Sequence, residues 1–236
     1  MRRLILFLLL LPHAALAQDI FTARYDVRFG PLRIAEIVLR ASDTQSAYAV
    51  AGRVTSAGIA GAFRDIRFDL AAEGRRIGVA FLPLSYREDV DTGRRASRVS
   101  LVYPDGGPVL QSIIPAHAPQ PWDVDPAAQG DTIDPMSALY RLARPRPLEA
   151  LCDWSVAVFD GRRRSSLSVG PVEVESGRAL CLGVYARIAG FPPEDMAERR
   201  DFPFVVEFSA EEDGRWRLTR VETQTLYGRV RILERD

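Results

Sequence analysis

The sequence contains no lysine, so every positively charged side chain is an arginine. The 31 basic residues are balanced by 31 acidic residues, and the formal net charge of the chain is zero. Nucleic-acid binding requires a basic surface that neutralises phosphates. The charge balance therefore indicates no nucleic-acid partner, and we interpret the lack of lysine as a property of a GC-rich coding sequence.

Histidine is nearly absent, and its scarcity restricts the possible chemistry. Apart from His13 near the N-terminus, the only histidine is His117. A Ser-His-Asp triad would have to use it, and no G-x-S-x-G motif is present. A zinc site would normally need several histidines or cysteines. We therefore predict a protein that is not an enzyme, with no metal and no cofactor, and we interpret His117 as a loop residue.

Long apolar runs are also lacking, with one exception at the N-terminus. A basic start at Met1–Arg3 precedes the apolar run Leu4–Leu11 and the small-residue box Ala15–Ala17. This order is typical of a secretory signal peptide, and the run is shorter than the roughly 20 residues of a membrane span. We predict a signal peptide over residues 1–17, cleaved after Ala17, and a single β-rich domain over residues 18–236. The protein is then periplasmic, without a membrane span or a lipid anchor.

The chain has two cysteines, Cys152 and Cys181, and both follow the predicted cleavage point. An even number of cysteines in an exported protein favours a disulfide. A redox or nucleophilic pair would usually show C-x-x-C spacing or a nearby histidine, and neither is present. We predict a structural disulfide that stabilises the fold by roughly 3–4 kcal/mol.

Most of the remaining sequence alternates apolar and polar residues, which is typical of β-strands with one face on a core. The first two strands, Phe21–Phe29 and Leu32–Arg40, are joined by the turn Gly30-Pro31. Short strands separated by turn residues favour a mainly β fold built from an antiparallel meander. The further predicted strands are Ala47–Thr55, Ile66–Ala72, Ile77–Leu82, Arg94–Tyr103, Trp154–Asp160, Arg163–Val169, Val172–Ser176, Ala179–Ile188, Phe204–Glu211, Arg215–Thr223 and Gly228–Leu233.

One segment between the two strand-rich halves predicts the main helix. Asp134 is a suitable N-cap and is followed by Pro135, which fits the first helical position. The residues Met136, Leu139, Tyr140 and Ala143 form one apolar face. Two prolines after Ala143 end the helix. The preceding stretch, residues 115–130, is proline-rich and predicts a surface connector.

Three other segments allow more than one interpretation. The small apolar segment Ser56–Ala62 is compatible with a loop, a bulged strand or a short helix, and it could border a pocket. The four carboxylates of Asp123, Asp125, Asp131 and Asp134 could bind calcium, but we prefer a solvated acidic loop with a helix cap. The run Arg162–Arg164 could bind phosphate or carboxylate groups, but we prefer a charged strand edge.

Three segments resemble a family of bacterial exported proteins of unknown function, DUF3108. They are the opening hairpin Tyr25–Glu36, the segment Gly130–Leu139 in which Asp-Pro-Met-Ser-Ala opens the helix, and the strand end Val158–Arg163 with its Asp-Gly-Arg turn. Members of this family often have glycine where this chain has Ala35. The resemblance implies a periplasmic or envelope location, and it brings neither an established activity nor catalytic residues.

By analogy at the level of fold, the resemblance leads us to expect a large curved antiparallel sheet, or half-barrel, partly wrapped around one main helix. This arrangement is similar to the half-barrel of lipoprotein-carrier proteins. A curved sheet of this kind can enclose apolar ligands. Fold alone does not fix function.

We expect a non-enzymatic envelope protein that binds an apolar or lipid-like ligand on the concave face of the sheet. The candidate lining residues are Ile59, Ala60, Phe63, Phe68, Phe81 and Leu84. The alternative is a structural or assembly factor that acts through a protein–protein interface with an envelope partner. A carboxylate-based hydrolase is the third and least favoured hypothesis.

Overall fold

The computed structural model describes residues 19–44, 46–58, 61 and 65–235. The predicted signal peptide and the candidates Ile59, Ala60 and Phe63 lie outside these described residues. Within them, fourteen strands form one sheet with the order β7-β6-β5-β4-β3-β2-β1-β14-β13-β12-β11-β10-β9-β8. The strands are β1 (Asp19–Phe29), β2 (Leu32–Asp43), β3 (Ala47–Ser56), β4 (Arg67–Ile77), β5 (Ala80–Asp91), β6 (Ala96–Val102), β7 (Val109–Ile114), β8 (Thr132–Ile133), β9 (Trp154–Phe159), β10 (Arg164–Glu175), β11 (Arg178–Ala189), β12 (Asp201–Ala210), β13 (Trp216–Thr225) and β14 (Gly228–Glu234).

The sheet is antiparallel except at one edge, where β8 pairs with β9 in parallel. Its middle is formed by the first and last strands, because β1 pairs with both β2 and β14. Sequence neighbours pair along each half, as expected for a meander joined by short turns. The predicted fold class, a mainly β protein with a large curved antiparallel sheet and one main helix, is confirmed.

Two α-helices lie wholly within the described residues, α1 (Pro135–Ala143) and α2 (Pro193–Glu198). Two short 3-10 helices lie at Pro126–Ala128 and Leu148–Ala150. The prediction for α1 is confirmed, because an oxygen of Asp134 accepts a hydrogen bond from the backbone N–H of Ser137 at 2.8 Å. The sequence analysis did not predict α2, whose six residues give too short a pattern to detect.

Two predicted strand boundaries are wrong. The segment Ile77–Leu82 is not one strand, because a turn with Gly78 at a φ of 59° separates β4 from β5. The segments Arg163–Val169 and Val172–Ser176 belong to the single strand β10, whose pairing with β11 shifts between Val169 and Val172. A bulge therefore accounts for the break in alternation that suggested two strands.

Helix α1 packs on the concave face of the sheet and contacts β3, β4, β5, β9 and β13. Gly52 allows this close approach, because a Cβ atom at that position would lie 3.1 Å from the sulfur of Met136. Near the C-terminal half of α1, Tyr140 packs against Tyr48 and Phe81, with ring centroids 6.0 Å apart in both pairs. The helix and these aromatic rings fill one part of the interior.

The curvature of the sheet brings strands from its two ends into contact. Strand β8 at one edge contacts β5 near the other. Gly161, in the turn between β9 and β10, has a φ of 99° and lies so close to β6 that a Cβ atom there would be 2.7 Å from a methyl carbon of Val99. A residue with a side chain would have to shift this turn, so glycine allows the sheet to wrap around its contents.

The predicted disulfide is present in the structure and joins Cys152 to Cys181, with 6.4 Å between the Cα atoms. Both cysteines are buried. The bond ties the segment after the second 3-10 helix to the first half of β11, and therefore holds the chain that follows α1 against the sheet.

We predict that replacing both cysteines by alanine destabilises the protein by about 3–4 kcal/mol, because a loop of 29 residues is no longer closed in the unfolded chain. Urea denaturation of the wild type and the double variant measures the difference. Reduced wild type should match the variant, and a reductant should not affect the variant. Equal stabilities of the oxidised wild type and the variant would contradict the prediction.

Candidate functional site

A cavity of about 530 Å³ lies between α1 and the concave face of the sheet. Its walls come from strands on both sides of the middle of the sheet. The wall residues include Tyr25, Ile37, Val54, Leu70, Val221 and Ile232. They share one face because Tyr25 pairs with Ile37, Ile37 with Val54, and Ile232 with Val221. The alternation of the strands thus makes this wall apolar.

The floor of the cavity is α1. Met136 and Ala143 are 1% and 3% exposed, whereas Leu139, on the same apolar face, is 45% exposed. Leu139 lines the cavity. The residue therefore projects into open space that no other side chain of the described structure fills.

The mouth of the cavity is formed by Arg163, Tyr185, Arg187, Phe191 and Phe202. Arg163 follows the turn between β9 and β10, and Tyr185 and Arg187 belong to β11. Phe191 precedes α2, and Phe202 lies at the start of β12. The lining of the cavity therefore runs without a break from the apolar walls to a mouth that carries two guanidinium groups.

The N-terminal end of α1 carries a buried polar network. Asp134 is fully buried and accepts hydrogen bonds from the backbone N–H and the hydroxyl of Ser137, at 2.8 and 2.6 Å. The hydroxyls of Ser137 and Tyr48 share a hydrogen bond of 2.6 Å. Burial raises the pKa of Asp134 to about 6, against the lowering effect of the Ser137 hydrogen bonds. This network fixes the helix to β3.

A second inward-facing carboxyl belongs to Glu88 of β5, which pairs with Leu70 and Val99. The hydroxyl of Tyr86 donates a hydrogen bond of 2.7 Å to it. Burial raises the pKa of Glu88, opposed by that hydrogen bond and by the nearby charges of Arg162 and Arg163. Neither Glu88 nor Asp134 lines the cavity.

The C-terminal end of α1 is held by Arg146, which is 2% exposed. Its guanidinium donates to the carbonyl oxygens of Leu142, Arg144, Ala150 and Leu151 at 2.8–3.1 Å. Burial lowers the pKa of Arg146 to about 9, so the group remains cationic at neutral pH. The charge satisfies carbonyls that the helix itself leaves unbonded.

The described candidates of the sequence analysis lie elsewhere. Phe81 is buried, and its ring centroid is 5.0 Å from that of Tyr48. Phe68 is half-buried opposite Val54, and Leu84 is exposed on β5. None of the three lines the cavity. The sequence feature that pointed to this cavity was the apolar face of the predicted helix, which included Leu139.

The structure separates the four carboxylates of the acidic loop. Asp123 accepts from the Nε2 atom of His117 at 2.9 Å, and Asp125 caps the first 3-10 helix. Asp131 pairs with Arg164, while Asp134 caps α1. In the described part of the chain, no group of three or more His, Cys, Asp or Glu side chains is arranged to hold a metal ion. The same ranges contain no helix with the length and apolarity of a membrane span.

The fold and the cavity define a class of protein: a curved antiparallel sheet with one packed helix and an apolar cavity between them. The chain belongs to the DUF3108 family, described as a protein of unknown function, which it matches over residues 24–182.

Among solved structures, the chain is similar to a β-barrel-like protein of the domain of unknown function DUF1849 from Brucella abortus. The two are 11% identical, with a TM-score of 0.49 over 91% of this chain and 95% of that chain. No curated protein sequence matches this one.

We predict that Asp134→Asn removes a pH dependence of stability. A carboxyl whose pKa rises on folding from 3.8 to about 6 holds its proton more tightly in the folded state. The protonated carboxyl therefore stabilises the folded state at low pH, and this stabilisation is lost as the pH rises from about 4 to 6. Asparagine keeps the cap but does not titrate.

The free energy of unfolding of the wild type, relative to Asp134→Asn, should thus fall by about 2–3 kcal/mol between pH 4 and pH 7. Urea denaturation at several pH values measures this difference. Because Glu88 is present in both proteins, its titration affects both equally and does not contribute to the difference. A difference that stays constant with pH would contradict the prediction.

Proposed function

We propose that this protein is a non-enzymatic binding protein of the periplasm or cell envelope that holds an apolar ligand in the cavity above α1. The observation that carries the proposal is the exposure of Leu139 inside the fold, on a helix face whose other members are packed. An apolar ligand would complete the burial of that face.

The size and chemistry of the cavity support this function. Its volume of about 530 Å³ falls within the range of roughly 300–1,000 Å³ that is usual for small-molecule sites. Its walls are mainly aliphatic and aromatic, and transferring apolar surface out of water contributes about 25 cal/mol per Å². The cavity can therefore bind a ligand without any specific polar contact.

The residues that line the cavity favour binding over catalysis. None of the described lining residues is Asp, Glu, His, Cys, Ser or Lys. General acid–base and nucleophilic catalysis rely mainly on these side chains. Two tyrosines and two threonines also line the cavity, but the described lining holds no histidine or carboxylate that could act as their base. The two inward carboxyls with raised pKa values, those of Asp134 and Glu88, lie outside the lining, which weighs against a carboxylate-based hydrolase.

An envelope location is supported by the predicted signal peptide and by the disulfide between Cys152 and Cys181. Disulfides form and persist in oxidising compartments such as the periplasm.

We predict that Leu139→Trp weakens the binding of a neutral apolar dye, N-phenylnaphthylamine, by at least about tenfold. The larger side chain occupies the cavity, and the loss of about two buried methylene equivalents gives a change of that size. Dye fluorescence titration measures the affinity.

The matched control is Leu182→Trp, because Leu182 is 70% exposed on β11 and does not line the cavity. It should bind the dye like the wild type. Equal weakening in both variants, or no saturable binding by the wild type, would overturn the proposed function.

A second candidate function, a structural or assembly factor, is favoured by the outer face of the sheet. An open groove of about 860 Å³ lies there, lined in part by Leu182, Val184, Pro203 and Val205. Leu182 and Val205 are exposed. Contiguous exposed apolar residues often mark protein interfaces.

If this groove binds an envelope protein, Leu182→Arg should abolish recovery of that protein with the affinity-tagged chain from envelope extracts, and Leu139→Trp should not. An arginine at the centre of an apolar interface leaves an unpaired charge that costs several kcal/mol. Quantitative mass spectrometry of the recovered proteins measures the effect. Recovery that is the same with all three chains would contradict the interface hypothesis.

A further inference from the structure

Arginine and aromatic side chains alternate at the mouth of the cavity. The guanidinium carbon of Arg163 lies 5.5 Å from the ring centroid of Phe191, and that of Arg187 lies 5.4 Å from the same ring. Arg187 and Arg199 both approach the ring of Phe202, at 5.1 and 4.9 Å. We call these five residues the arginine ladder.

The positive charges of the ladder are not paired with acids. No carboxylate of the described residues lies within 4.0 Å of a guanidinium nitrogen of Arg163, Arg187 or Arg199. Arg187 donates to the carbonyl oxygens of Asp195 and Arg199, and Arg199 to those of Asp201 and Gln224. The side chain of Arg163 makes no hydrogen bond within the described structure. Its donors are free to bind a ligand.

The ladder differs from the arginines that form ion pairs across the strands of the sheet. Elsewhere on the sheet, arginines pair with carboxylates of neighbouring strands, for example Arg98 with Asp89 at 3.0 Å and Arg178 with Glu207 at 3.3 Å. Even Arg164, beside Arg163 in the sequence, pairs with Asp131. The ladder thus concentrates unpaired positive charge at one place, next to an apolar cavity.

From this juxtaposition we infer that the ligand is an anionic amphiphile. Its apolar chain lies in the cavity above Leu139, and its carboxylate or phosphate head binds the guanidinium of Arg163, with Arg187 adding to the positive field. The planar guanidinium can bind either head group through two parallel hydrogen bonds. The inference rests on the proposed function, because the apolar chain occupies the proposed site.

The test compares three twelve-carbon probes: dodecanoate, dodecyl phosphate and the uncharged dodecanol. Isothermal titration calorimetry measures their affinities for the full-length protein. The wild type should bind at least one of the two anionic probes about tenfold more tightly than dodecanol, as expected for a charge-assisted hydrogen bond. The stronger of the two anions identifies the head group as carboxylate or phosphate.

Arg163→Gln should lower the affinity for the anions to about that for dodecanol, whereas Arg163→Lys should retain part of the preference. The matched control is Arg162→Gln, because Arg162 belongs to the same turn but does not line the cavity. It should keep the preference. Thermal denaturation of each variant verifies that it is folded.

The outcomes separate the inference from the proposed function. If dodecanol and the anions bind the wild type equally, or if Arg163→Gln binds the anions as tightly as the wild type, the ladder is not the head-group site, although the cavity still binds apolar chains. If the wild type binds none of the three probes, the proposed function fails and the inference fails with it.

Discussion

Helix α1 is too short to cover the concave face of the fourteen-stranded sheet. At 1.5 Å per residue, the nine residues of α1 span about 14 Å. A twelve-residue strand such as β5 spans about 40 Å. The helix and the aromatic rings around Tyr140 therefore fill only part of the interior. The cavity above Leu139 is the remainder, so it follows from a mismatch of lengths between the elements.

Such a cavity persists only if its floor is fixed, and α1 is fixed at both ends by polar groups. Asp134 and Ser137 bind the N-terminal end to Tyr48 of β3. Arg146 holds the C-terminal end through four carbonyls, and its own backbone pairs with Trp216 of β13. Buried polar groups with satisfied hydrogen bonds specify one arrangement of a core. The helix is thus held between the two halves of the sheet and does not collapse into the open space.

The sequence predicted the fold better than the site, for a physical reason. Strand alternation, the Asp134 cap and the apolar helix face are local patterns, and they gave the β-rich class, α1 and the disulfide partners correctly. The cavity lining is set by register: Ile37 and Ile232 line the same cavity because β1 lies between β2 and β14 in the middle of the sheet. No local signal separates Phe81, which packs in the core, from Leu70, which lines the cavity. The sequence gives no sign that Arg146 is buried, because its four carbonyl partners are known only from the structure.

The arginines of this chain lie in three environments: on the strands, in the interior and at the mouth of the cavity. The environment of each arginine indicates whether its role is structural or in binding. On the strands, as in the pair of Arg178 and Glu207, an exposed ion pair contributes little to stability. Inside, Arg146 replaces water with carbonyls and is inaccessible to a ligand. At the mouth, Arg163 packs on the face of the Phe191 ring, an interaction in which arginine is favoured over lysine. An exposed guanidinium that is held in place and has no carboxylate partner lowers the free-energy cost of placing an anionic group next to apolar walls. Within the ladder, Arg187 and Arg199 also support backbone carbonyls, whereas the donors of Arg163 remain available to a ligand.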